Sequence, residues 1–194
     1  YLDVLRQDLE LSLPMIWGRK ISSIFIGGGT PSLLSAKGID QLLSFIRELL
    51  PVLPDAEISM EANPGTFEAG KFKSYRESGI NRLSIGIQSF NPHFLHELGR
   101  IHDHDEARAA IEIARRYFDN INLDLMYGLP RQTLEQLKDD VSVALSYEPA
   151  HLSFYQLTIE PNTYYFKHPP VLPDEDTLDQ MQEWIESSTS AAGF

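Results

Sequence analysis

The stretch Glu57-Ile58-Ser59-Met60-Glu61-Ala62-Asn63 decides how this chain is read. Ile58, Met60 and Ala62 alternate with Ser59, Glu61 and Asn63. A period of two places the first set on one side of a strand and the second on the other. The same alternation returns in Arg82-Leu83-Ser84-Ile85-Gly86-Ile87-Gln88, where Ser84, Gly86 and Gln88 oppose three large aliphatics. It returns again in Asn120-Ile121-Asn122-Leu123-Asp124-Leu125-Met126, with Asn122, Asp124 and Met126 opposing Ile121, Leu123 and Leu125. Strands of a parallel sheet covered on both faces read as nearly continuous apolar runs. These strands do not. Each has one side fit for packing and one side that is polar or small.

Working outward, Ile21-Ser22-Ser23-Ile24-Phe25-Ile26 and His151–Leu157 are two further strand segments. Leu2, Leu5, Leu9 and Leu13 recur at helical spacing within residues 1–17. A helix is expected from Ala36 to Leu50, stopped by Pro51 and Pro54. Thr66 is placed to cap a helix that ends at Gly79. A short turn near His93–Leu98 is expected, then a helix from Asp103 to Tyr117, with Glu106 completing a capping box. Thr133 and Gln136 open another helix, to Tyr147, and Asp174 opens the last. The segment with Pro161, Pro169, Pro170 and Pro173 is expected to be a long stiff loop. Strand–helix units repeat at roughly the length of a βαβ step. That rhythm predicts a parallel sheet, either a barrel or a doubly wound layer.

The chain has 194 residues, 42% of them hydrophobic, enough for one substantial core. Its formal charge of −12 argues against a nucleic-acid partner, which needs a basic face. There is no Cys, so these residues hold no disulfide, thiolate nucleophile or cysteine-bound cluster. No apolar run approaches the ~20 residues of a membrane span, and no signal peptide opens the chain. A cytoplasmic location is expected. The chain starts without Met inside an apparent helix, and both ends look cut, so a fragment is expected.

Buried carboxylates are costly unless paired or wet, so Glu61 and Asp124 need partners. Three neighbouring strands with the same polar side suggest a common hollow that holds a ligand. The alternative is a sheet face simply open to water, which parallel sheets seldom leave. The polar residues also lie late in their strands, where α/β folds bind ligands. Gly27-Gly28-Gly29-Thr30-Pro31-Ser32 follows a strand directly. It lets a ligand approach the backbone closely, or it is only a tight turn. It matches neither the P-loop nor the dinucleotide pattern. Gln88 offers an amide, and Arg100 can clamp a carboxylate. His102 and His104 are two apart, not the i, i+4 of a helical metal pair, so capping is the better reading. His151 and His168 show no partner pattern. Tyr164-Tyr165-Phe166 is read as packing rather than as a cofactor box.

The segments GGGTPS (27–32), EANPGT (61–66), IGIQSF (85–90), LGRIH (98–102), DLMYGLPRQT (124–133) and YQLTIEPNT (155–163) occur in that order. Together they resemble the radical S-adenosylmethionine (SAM) proteins related to oxygen-independent coproporphyrinogen III oxidase. YQLTIEPNT and PPVLPDEDT (169–177) are most similar to the branch of that family that acts as heme chaperones. The resemblance implies an α/β fold, a partial open (β/α) TIM-like barrel, here without its first strand. Residues 1–194 would be an incomplete core domain, with the cluster-binding strand before Tyr1 and a C-terminal domain both absent. It implies a 4Fe-4S cluster held by cysteines outside this chain. It also implies a SAM site made by Gly28, Gly29, Thr30, Glu61, Gln88, Arg100 and Asp124. Heme, or a porphyrinogen in the oxidase branch, and a hemoprotein acceptor of unknown identity are the implied partners.

Overall fold

The computed structural model describes residues 1–64, 69–100 and 104–194. Thr66, His102 and Asp103, assigned capping roles from the sequence, lie outside the described residues. Five parallel strands form one sheet: β1 (Ile21–Ile26), β2 (Val52–Ala62), β3 (Arg82–Gln88), β4 (Asn120–Tyr127) and β5 (His151–Gln156). Their order across the sheet is their order in the sequence. That order bears out the partial open barrel that the resemblance implies, where periodicity alone left two architectures open. A doubly wound sheet reverses direction at a switch point. With no reversal, right-handed crossovers put successive helices on the same side. The sheet then curls as an open half-barrel, with its other face inside.

The helices are α1 (Leu2–Ser12), α2 (Ala36–Leu49), α3 (Ala69–Ser78), α4 (Pro92–Glu97), α5 (His104–Ala114), α6 (Leu134–Ser146), α7 (Tyr164–Lys167) and α8 (Glu175–Ala191). Ser35, Asn91, Thr133 and Asp174 each accept a backbone N–H at a helix start, and Thr133 with Gln136 forms the expected capping box. Gly79 ends the strand-bound turn after α3 at a φ of 106°, which favours glycine.

The apolar sides of the strands build the main core. Ile58 and Met60, Leu83, Ile85 and Ile87, and Ile121, Leu123 and Leu125 are all buried in one cluster. Ile39 and Leu43 of α2, Phe72 and Tyr75 of α3, Ile111 of α5 and Ala144 of α6 cover them. Each such side chain stabilises the fold by about 1.5–3 kcal/mol. A second cluster joins Tyr127 to Leu137 and Val141 of α6 and to Met181 and Ile185 of α8.

Three expectations are corrected. Pro54 does not stop a helix; it sits early in β2, where Ile21 pairs with Val52 but Ser23 pairs with Glu57. The extra residues bulge out, and there a missing N–H breaks no ladder bond. The proline-rich segment is not all loop, because it contains α7, capped by Thr163. Nor do its aromatics all pack: Tyr164 and Phe166 are exposed, and Tyr165 instead donates its hydroxyl to the Glu97 carbonyl at 2.7 Å.

Candidate functional site

The strand register brings the polar sides together. Glu61 of β2 lies beside Ser84 of β3, which lies beside Asn122 of β4, which lies beside His151 of β5. At the carboxyl ends of these strands is a cavity of about 390 Å³. That size suits a small-molecule ligand. Glu61, Gln88, Arg100 and Asp124 line it, with Gly29 at one side. The two acids therefore share one hollow, as the alternation in β2 and β4 requires.

The glycine loop is fixed from two directions. Gly28 donates its N–H to the Glu61 carboxylate at 3.1 Å. From α3, the Tyr75 hydroxyl reaches the carbonyls of Ser32, at 3.0 Å, and Leu34. Gly28 and Gly29 have φ of 82° and 38°, and a Cβ on either would touch nothing within 4 Å. Backbone conformation, not crowding, calls for glycine there. Gly28 and Thr30 are not among the cavity's lining residues. With Gly29 they border an adjacent apolar groove between β1, α1 and α2. Thus Gly28 acts on the cavity through Glu61.

At Gly86 the reason for glycine is space. A Cβ there would lie 2.9 Å from Gln88 Nε2 and 3.3 Å from Asn63 Oδ1. The missing side chain lets both amides lie over β3. Gln88 reaches this position through a bulge: Ile85 pairs with Leu123, but Gln88 pairs with Leu125. Its φ of 69° is left-handed, which is costly for a non-glycine residue. The turn that follows is anchored by Asp140 of α6. This buried carboxylate accepts the Ser89 hydroxyl at 2.6 Å and the Phe90 N–H at 2.8 Å. Burial pushes the Asp140 carboxyl up to about 6, against those two bonds, which favour its charge.

Arg100 donates to Asn63 Oδ1 at 3.4 Å. Burial lowers its pKa from the ordinary value, yet a guanidinium stays charged at neutral pH. The cavity thus combines one cation, two carboxylates and two amides. That donor set suits a zwitterionic ligand with hydroxyls. Sequence reasoning passed over Asp140 and His151 as functional. Asp140 is a polar residue on an amphipathic helix and carries no periodic signal. His151 continues the polar row across β5, and its Nδ1 lies 2.6 Å from Asn122 Oδ1. Among the described residues no group of three His, Cys, Asp or Glu side chains could hold a metal ion. No helix among them is long and apolar enough to cross a membrane.

The sequence model of the radical SAM superfamily matches residues 9–144. The chain belongs to the radical SAM superfamily. Its five-stranded half-barrel is similar to the radical SAM enzyme coproporphyrinogen III oxidase (HemN) of Escherichia coli, with a TM-score of 0.87 and 30% identity. That similarity covers 100% of this chain and 45% of the oxidase. An archaeal Elp3 from Methanocaldococcus infernus shares the fold at a TM-score of 0.72 and 17% identity. Among sequences, the chain is 49% identical over 195 residues to the E. coli protein named heme chaperone HemW. It is 37% identical over 200 residues to the Bacillus subtilis protein of that name. Both matches cover 100% of this radical SAM chain, but 52% and 53% of those relatives. The chain therefore spans about half the length of the heme chaperones it matches.

Proposed function

We propose that these residues are the SAM-binding part of a radical SAM heme chaperone, which binds heme and delivers it to hemoproteins in the cytoplasm. The observation that carries this reading is the 49% identity along the whole chain to a protein named heme chaperone HemW. The second reading is an oxygen-independent coproporphyrinogen III oxidase, favoured by the 0.87 TM-score to HemN at 30% identity.

The cavity fits SAM by the chemistry of its side chains. Glu61 and Asp124 suit an ammonium, a sulfonium or ribose hydroxyls. Arg100 suits the methionine carboxylate. Gln88 and Asn63 suit ring nitrogens or hydroxyls. Glycine at 86 keeps room for the ligand. Gly28 holds Glu61 in place through its N–H. When bound, SAM and a 4Fe-4S cluster together supply one-electron reductive chemistry at the sulfonium. This chain has no Cys, so the cluster's thiolates come from residues outside the 194. The chain's own share is to bind the cofactor, orient it and limit water.

Heme titration of the full-length protein, followed in the Soret region, tests the function alongside an assay of coproporphyrinogen III turnover. Stoichiometric heme binding without turnover supports the chaperone. Turnover without heme retention selects the oxidase.

A further inference from the structure

Beneath the cavity, Asn122 is the hub of a closed hydrogen-bond network. Its Nδ2 donates to Asp124 Oδ1 at 2.7 Å and to Ser84 Oγ at 2.7 Å. Ser84 in turn donates to Asp124 Oδ2 at 2.9 Å. On its other side, Asn122 Oδ1 meets His151 Nδ1 at 2.6 Å and accepts the Ser153 hydroxyl at 3.0 Å. Three strands contribute, and the register makes their members neighbours: Ser84 beside Asn122 beside His151, and Asp124 beside Ser153.

The direction of each bond follows from one fact. An ionised carboxylate only accepts, so Asn122 must turn its NH₂ toward Asp124. Its carbonyl oxygen then faces β5, and His151 must carry its proton on Nδ1. With both amide hydrogens and both carbonyl lone pairs used, Asn122 is fully satisfied although only 1% exposed. Each Asp124 oxygen is held by one donor from below. A carboxylate offers about four acceptor positions, so about two remain for the cavity that Asp124 lines.

We propose that Asn122 is a positioning residue for the cavity's ligand, acting through Asp124, with Ser84 as the second clamp and His151 and Ser153 setting the Asn122 amide. The inference rests on the reading of the cavity as the SAM site and adds residues to it. Two donors on adjacent strands fix the plane of the carboxylate before the ligand arrives, so less ordering is left for binding to offset.

A double-mutant cycle with S-adenosylhomocysteine as the probe tests this in the full-length protein. Asp124→Ala is expected to weaken binding at least tenfold. Ser84→Ala and Asn122→Asp are each expected to weaken it several-fold in the native background, and not at all in the Asp124→Ala background. Thermal melts identify any variant that fails to fold; Ser84→Ala, the mildest, keeps the cycle intact if Asn122→Asp does fail. If Ser84→Ala weakens binding equally in both backgrounds, its role is structural and the inference is wrong while the cofactor site stands. If Asp124→Ala leaves affinity unchanged, the site and the inference fall together. An ¹⁵N spectrum showing the proton of neutral His151 on Nε2 would also overturn the network.

Discussion

Asp140 of α6 receives the Ser89 hydroxyl at 2.6 Å, and this contact, between residues 51 apart in sequence, holds the turn that presents Gln88. The carboxylate sits only 3% exposed, and burial raises its pKa from 3.8 to about 6. Between those two values the folded state binds more protons than the unfolded state. Stability from this group is therefore greatest in acid, falls as pH rises from about 4 to about 6, and is level above. A rise of about two units corresponds to at most about 3 kcal/mol. Asp140→Asn keeps the shape without the charge, so its stability relative to the native protein should improve with pH over that window. Urea unfolding at pH 4, 5, 6 and 7 measures it. A difference that does not change with pH rejects the assignment. Asp140→Ala, by contrast, strands the Ser89 and Phe90 donors and should cost on the order of 3 kcal/mol.

Gly86→Ala should separate binding from stability. The added Cβ would come within 2.9 Å of the Gln88 amide, a mobile side-chain end that can move aside. Stability should change by less than about 1 kcal/mol, within the range of a small substitution that leaves the core intact. Affinity for S-adenosylhomocysteine should fall about tenfold, or ~1.4 kcal/mol. Calorimetric titration beside a thermal melt shows whether the two effects part.

Ile85→Ala removes a side chain with no exposed surface from the centre of the sheet. The cavity left behind should cost about 2–5 kcal/mol. Chemical denaturation checks the value. A cost under about 1 kcal/mol would mean that β3 is not central to the core.

The 194-residue chain by itself should make no 5′-deoxyadenosine after treatment with iron, sulfide, reductant and SAM, because it has no Cys to bind a cluster. Chromatography of the reaction mixture decides this. Cluster-dependent cleavage would require some other ligand set.

Much of the site was legible because strand alternation is strict. Ser59, Glu61, Ser84, Asn122 and Asp124 fall on one side whatever the tertiary context, so their convergence needed only a parallel sheet with an inside. The strand order was not legible. Periodicity marks strands but carries no information about their neighbours, so by itself it left barrel and doubly wound layer open; the family resemblance implied the open barrel, and the 1-2-3-4-5 order bears it out. Alternation placed Gln88 on the polar side with Ser84, but the bulge between Ile85 and Gln88, which shifts the register by one residue, leaves no such signal. Asp140 and its turn left no trace, because a contact from a helix to a distant loop has no period.

The most direct measurement is a crystal structure of the protein with S-adenosylhomocysteine. The ligand is expected among Gly29, Glu61, Arg100 and Asp124, with its carboxylate on Arg100. Ligand density confined to the apolar groove beside β1, with these four side chains untouched, would contradict the account.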